Sequence, residues 1–191
     1  QPDALHLLGV IAHQKGGNDR AVDLINKALA IKPDYPEACS NLGAALKDLG
    51  RLDEAITSYH KAIKIKPDYA QAHYNLANAF QELGKVDEAV ENYQKALAIR
   101  PDYAEAHSNL GNSLQGLGKL DEAVVSYQKA VDIRPDYAEA YCNLGAALQE
   151  LGQLDEALMH YHKAINVKPD YAVAHSNLGV ALKELGQLEE A

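Results

Sequence analysis

Tryptophan is absent from this 191-residue chain, phenylalanine occurs once and cysteine twice. Cys39 and Cys142 stand 103 residues apart, a spacing that matches no disulfide framework and no metal-ligand motif. Two isolated thiols fit a reducing, cytoplasmic compartment. No apolar run approaches the roughly 18 residues that a helix needs to cross a bilayer, so no membrane span is predicted. No charged-then-apolar leader opens the chain, which starts at Gln1 and reads as a piece of a longer protein. Positive charge is also scarce: 18 Lys+Arg face 27 Asp+Glu, for a net charge of −9. That balance argues against a nucleic-acid partner, which needs a basic face.

What the chain does contain is repetition. Pro33, Pro67, Pro101, Pro135 and Pro169 fall 34 residues apart, each inside a near-constant segment such as Lys66–Ala70 or Arg134–Ala138. Asn41-Leu42-Gly43, Asn75-Leu76-Ala77, Asn109-Leu110-Gly111, Asn143-Leu144-Gly145 and Asn177-Leu178-Gly179 keep the same period. So does a Leu-Gly-x-Leu/Val-Asp/Glu-Glu-Ala segment starting at Leu49, Leu83, Leu117, Leu151 and Leu185. Three anchors in one register define a repeat architecture.

Each repeat reads as two helices. Ala106, Leu110, Leu114 and Leu117 step by four, four and three, the spacing of one helical face. Ala123, Val124, Tyr127, Ala130 and Val131 form a second such face. Gly118 lies where a helix C-terminus places its left-handed residue, and Pro135 stops the second helix. Asp102-x-x-Glu105, Asp136-x-x-Glu139 and Asp68-x-x-Gln71 have the spacing of capping boxes, whereas Val173 breaks the pattern after Asp170. Acids open the helices and Lys or Arg close them, which accounts for most of the charge pattern through the helix dipole.

This register resembles the tetratricopeptide repeat family over essentially the whole chain. In residues 104–137 the resemblance is carried by His107, Leu110-Gly111, Leu114, Ala123, Tyr127, Ala130 and Pro135. It implies an all-α fold: a single right-handed superhelical solenoid domain over 1–191, built of 34-residue helix-turn-helix repeats. The repeats are 2–35, 36–69, 70–103, 104–137, 138–171 and a partial one at 172–191. Repeat 1 is degenerate; it begins at Pro2, and His6 is read in place of the Asn.

Eight histidines invite a metal reading, but His73, His107 and His175 recur once per repeat, too far apart to meet at one ion. His160 and His162 are two residues apart on one helix and point to different faces. No metal and no cofactor is predicted. Ser40-Asn41, Ser108-Asn109 and Ser176-Asn177 repeat with the array and form no unique nucleophile–base–orienter set, so no enzyme activity is predicted for this segment. Tyr59, Tyr93, Tyr127 and Tyr161 read as core, and Tyr35, Tyr69, Tyr103, Tyr137 and Tyr171 as packing between repeats.

The asparagines carry the functional reading. Asn41, Asn75, Asn109, Asn143 and Asn177 recur on the first helix of each repeat, and first helices line the concave wall in the family that the chain resembles. A carboxamide has one acceptor and two donors and can hold a peptide backbone unit without reading its side chain. Two readings stand: a ladder of amides facing a peptide, or amides bonded within the stack. Tyr74, Asn78 and Asn112 extend the candidate groove. The clamp that some relatives use for acidic chaperone tails is missing, because its cationic positions hold Glu37, Ser40, Gln71, Asn75 and Glu105.

The expected function is a scaffold holding a protein or extended peptide in the groove. The near-identity of the repeats and the Asn row resemble the substrate-recruiting arm of O-linked N-acetylglucosamine transferases and their bacterial relatives. The alternative is a stand-alone scaffold or self-assembling adaptor. Residues 172–185 are expected to form a first helix whose apolar residues Leu178, Ala181, Leu182 and Leu185 want a second helix, starting at Leu188. That face is expected to support a homodimer.

Overall fold

The computed structural model describes residues 1–189, and all regular structure in them is helical. Eleven helices follow one another: α1 (Pro2–Gln14), α2 (Asn18–Ile31), α3 (Pro36–Asp48), α4 (Leu52–Ile65), α5 (Ala70–Glu82), α6 (Val86–Ile99), α7 (Ala104–Gly116), α8 (Leu120–Ile133), α9 (Ala138–Glu150), α10 (Leu154–Val167) and α11 (Ala172–Glu189). They group into two compact units, one running to Pro101 with α1–α6 and one from Asp102 with α7–α11. Within each unit an odd-numbered helix packs on the even-numbered helix that follows, and each such pair packs on the next. The odd-numbered first helices also touch their counterparts directly, α1 with α3, α3 with α5, α7 with α9 and α9 with α11. Each unit therefore presents a wall of adjacent first helices.

Glycine sets the turn between the two helices of a repeat. After α7, Gly118 adopts φ +73°. Its N–H donates to the Gln115 carbonyl and the Lys119 N–H to the Leu114 carbonyl, both at 2.9 Å. This paired closure satisfies carbonyls that the helix end would leave bare, at a backbone angle that only glycine adopts without strain. The turn after α3 repeats it at Gly50.

The helix starts differ from the capping-box expectation. The residue preceding α7 is Tyr103 and that preceding α9 is Tyr137, and no side chain caps either helix. Asp102 and Asp136 lie one residue too early, and both are exposed. Glu105, the expected return partner, is bonded to Arg134 instead. The tyrosine takes the capping position because its ring packs inward: Tyr103 is buried and Tyr137 half-buried.

Small residues let the helices of a pair approach. A Cβ added to Gly111 would stand 2.6 Å from Cε1 of Tyr127, and one on Gly43 would stand 2.5 Å from Cε1 of Tyr59. Tyr59, Tyr93, Tyr127 and Tyr161 are fully buried against these first helices, as the sequence suggests. Burial of each ring contributes about 2 kcal/mol. Alanines at every helix crossing, among them Ala55, Ala62, Ala123 and Ala130, have no exposed surface.

The last helix departs from the expected break. Helix α11 runs uninterrupted past Leu185 and Gly186 to Glu189, so no separate helix begins at Leu188. In the other repeats a second helix of 14 residues follows the glycine turn. Leu182 is 50% exposed where Leu46, Leu114 and Leu148 are 3–4% exposed, whereas Ala181 is already covered.

Candidate functional site

The predicted asparagines all lie half-buried on the first-helix walls, and the amide nitrogens of Asn41, Asn75, Asn143 and Asn177 turn back into the stack. Asn75 Nδ2 donates to Ser40 Oγ at 3.4 Å, and Asn41 Nδ2 meets His6 Nε2 at 2.8 Å. Asn177 Nδ2 donates to Cys142 Sγ at 3.6 Å. Each of these bonds joins an asparagine to the side chain 35 residues earlier, one repeat back. Asn143 Nδ2 instead reaches Asn112 Oδ1 at 3.0 Å. The donor is therefore shared with the fold, and the intra-stack reading holds for it.

The acceptors divide the row. Asn75 Oδ1 receives the Gln71 amide at 2.9 Å, and Asn109 is engaged as well. Asn41, Asn143 and Asn177 keep Oδ1 without a partner among the described residues. Each also keeps the second hydrogen of its amide. The other predicted groove residues are held from beneath. Tyr93 Oη donates to Asn78 Oδ1 at 2.5 Å, and Tyr127 Oη to Asn112 Oδ1 at 2.7 Å. Tyr74 is half-buried, with its ring 5.9 Å from that of Tyr93.

One register assignment changes. The position 34 residues before Asn41 is Leu7, 60% exposed, and not His6. His6 occupies the place of Ser40, so it receives the Asn41 amide just as Ser40 receives that of Asn75. Its other ring nitrogen meets Tyr35 Oη at 2.9 Å. Burial holds the His6 pKa below its ordinary value, which suits an imidazole that accepts from an amide.

A second ladder, not anticipated from the sequence, runs along the C-terminal ends of the first helices. In the first unit His13 Nε2 meets Asp48 Oδ2 at 2.8 Å and Lys47 Nζ meets Glu82 Oε1 at 2.9 Å. In the second unit Gln115 donates to Glu150, and Gln149 Nε2 donates to Glu184 Oε2 at 2.8 Å. All four span 35 residues, and that spacing between polar residues was the available signal. Buried tyrosines orient both glutamines: Tyr127 Oη donates to Gln115 Oε1 at 2.9 Å, and Tyr161 Oη to Gln149 Oε1 at 2.8 Å. Burial pushes the Tyr161 pKa up to about 12, so it remains a donor at neutral pH.

Two of the recurring histidines serve the turns. His73 Nε2 bonds to the Pro67 carbonyl at 3.1 Å and His175 Nε2 to that of Pro169 at 2.8 Å. No group of His, Cys, Asp or Glu that could hold a metal ion is present among the described residues. Both cysteines are free and buried, and burial raises both thiol pKa values. No helix among the described residues is long and apolar enough to cross a membrane.

Comparison with known proteins agrees with this geometry. A TPR repeat family model matches residues 45–84, 77–118, 116–152 and 148–186, and a tetratricopeptide repeat model matches residues 2–35. The chain belongs to the tetratricopeptide repeat family. Its class is a scaffold for protein interaction. Among solved structures it is similar to MamA, with 30% identity, a TM-score of 0.78, and coverage of 86% of this chain and 96% of that one. It is also similar to TTC0263, a thermophilic TPR protein of Thermus thermophilus, at 26% identity and TM-score 0.70, covering 95% of this chain and 99% of that one. YrrB, described as a TPR protein with an unusual peptide-binding site, shares the fold at 23% identity and TM-score 0.75, covering 90% and 89%. Among curated proteins no relative matches the sequence.

Proposed function

We propose that the first-helix wall holds an extended peptide or an extended segment of a partner protein, with Asn143 and Asn177 as its backbone-reading residues. The observation that carries this is their pair of open Oδ1 atoms, one repeat apart on neighbouring helices of one unit. Each can accept a peptide N–H while its remaining amide hydrogen donates to a carbonyl. A backbone read in this way gives affinity with little dependence on peptide sequence, as suits a scaffold with several clients. Asn41 offers the same pair of groups in the first unit. Asn75, Asn78, Asn109 and Asn112 have hydrogen-bonded or otherwise engaged side chains and act mainly by keeping the wall in register.

The test compares Asn143→Ala with Asn177→Ala, singly and together, for binding of fluorescein-labelled peptides by anisotropy. The double variant is expected to weaken peptides of unlike sequence by a similar factor while melting close to the parent. Unchanged binding with a lowered melting temperature would leave these residues a purely structural role.

In the wider setting, this wall is read as the substrate-recruiting arm of a larger glycosyltransferase-like protein, the repeats forming one solenoid domain in a reducing, cytoplasmic compartment. Support comes from the asparagine row and from the two unpaired thiols. Coding sequence beyond residue 191 decides the matter: a glycosyltransferase domain there supports the arm, and further repeats or a stop codon support a stand-alone scaffold. Self-association is the second reading. The exposure of Val173, Val180 and Leu182 on α11 favours it, and sedimentation that is independent of concentration would reject it.

A further inference from the structure

In the second unit, two carboxylates on the wall are held in place but not neutralised. Glu150 and Glu184 each receive a glutamine amide, and neither has a cation within ion-pair distance among the described residues. Gln149 is kept from turning round to present oxygen by the Tyr161 hydroxyl, which donates to its Oε1, and Gln115 is held by the single Tyr127 hydroxyl hydrogen, which it shares with Asn112 Oδ1. Tyrosine, glutamine and glutamate thus form a relay, repeated once, that keeps each glutamate an acceptor and leaves its charge facing outward. Side chains whose own partners fix them are what a preorganised recognition site requires.

The first unit shows what a carboxylate in this register takes. Glu82 lies where Glu150 and Glu184 lie, and it binds the ammonium group of Lys47 at 2.9 Å. Lys47 replaces the glutamine of the relay, and having no acceptor it leaves the buried Tyr59 hydroxyl without a partner. Asp48, also in this register, takes the imidazole of His13 at 2.8 Å. The chain itself thus supplies a basic partner to these carboxylates in one unit and omits it in the other.

We propose that the second unit's wall selects extended segments carrying lysine or arginine, whose cations sit on Glu150 and Glu184 while the backbone lies on Asn143 and Asn177. This rests on the peptide-binding reading above and adds the chemistry of the client. Neighbouring first helices pack about 10 Å apart. An extended strand advances about 3.3 Å per residue. Basic residues two or four positions apart lie on one face of such a strand, about 7–13 Å from each other, and the length of their side chains absorbs the mismatch with the two carboxylates. Attraction of this kind gives discrimination and faster encounter, and salt weakens it.

The experiment uses three labelled peptides of equal length in which alanine alternates with lysine, glutamine or glutamate, measured by anisotropy at low and high salt. The lysine peptide is expected to bind more tightly than the glutamine peptide, and the glutamate peptide least. The variant E150Q/E184Q, which keeps a hydrogen-bond acceptor at each position, should cost the lysine peptide roughly tenfold and leave the glutamine peptide unchanged. Q149K, which installs on Glu184 the cation that Lys47 supplies to Glu82, should weaken the lysine peptide in the same direction. Circular dichroism melts of each variant show that it is folded. Equal binding of lysine and glutamine peptides, indifferent to E150Q/E184Q, would overturn the charge selection and leave the peptide wall standing. Failure of every peptide to bind would overturn both.

Discussion

Asn112 Oδ1 receives two donors at once, the Tyr127 hydroxyl at 2.7 Å from its own repeat and the Asn143 amide at 3.0 Å from the next. One acceptor thus ties a buried core tyrosine to an asparagine of the wall. Core and candidate site share a single hydrogen-bond network, and substitutions at either end separate stability from binding.

Asn112→Ala is expected to destabilise the second unit by about 1–2 kcal/mol, since the Asn143 amide loses its acceptor and Tyr127 keeps only Gln115. Asn143→Ala removes a half-buried donor that has water nearby and should cost well under about 1 kcal/mol. Peptide affinity should follow the opposite order, falling more for Asn143→Ala. Urea melts and anisotropy on both variants check the ranking; a larger stability loss for Asn143→Ala would contradict it.

Ala44→Asn should stabilise the first unit. Tyr59 is 0% exposed and its hydroxyl has no partner, whereas Tyr93 and Tyr127 donate to Asn78 and Asn112, the residues in the place of Ala44. A buried donor left unmade costs about 1–3 kcal/mol. Asparagine loses roughly 0.6 kcal/mol to alanine in helix propensity. A net gain of about 1 kcal/mol is expected in urea melts. In a Tyr59→Phe background, where the hydroxyl is gone, Ala44→Asn should instead be slightly destabilising. Stabilisation of equal size in both backgrounds would show that the hydroxyl is not its source.

The sequence and the structure agree wherever one residue type has one conformational use. Gly118 takes the left-handed turn that its place after Leu117 demands, and Tyr127 lies in the core that its helical spacing indicates. Disagreement arises where two partners compete for one side chain. The Asp102-x-x-Glu105 spacing fits a capping box, but Arg134, 29 residues on, takes Glu105, and the buried Tyr103 fixes the start of α7 one residue later. Helix α11 runs through Gly186, because glycine permits the turn without enforcing it. The asparagine row was legible as a row. Which of its atoms face outward was not, because that depends on partners 35 residues away, at Ser40, Cys142 and His6. The glutamine–glutamate rungs escaped notice for the same reason: each residue taken alone looks like an ordinary solvated helix end.

The last prediction concerns acid. His160 occupies the place of Ser58, Asn92 and Ser126 in other second helices; it is 5% exposed, stacks on Tyr141 with ring centroids 6.0 Å apart, and leaves Nδ1 without a partner. Burial first, and the nearby Lys163 second, lower its pKa from 6.5 to about 4. The unfolded chain therefore binds a proton below pH 6.5 that the folded chain refuses until about pH 4. Between those values the unfolded state holds more protons, so stability falls as pH falls, by up to about 3 kcal/mol across the window. Above pH 6.5 this group contributes no slope. His160→Ser restores the residue found in two of the other repeats and should flatten that stretch of the curve. Urea melts of both proteins at a series of pH values across the window make the comparison. The variant should be nearer to the parent at neutral pH and more stable relative to it at the acid end. A pH profile that His160→Ser leaves unaltered would assign the acid sensitivity to other groups, His6 first among them, whose pKa burial also lowers.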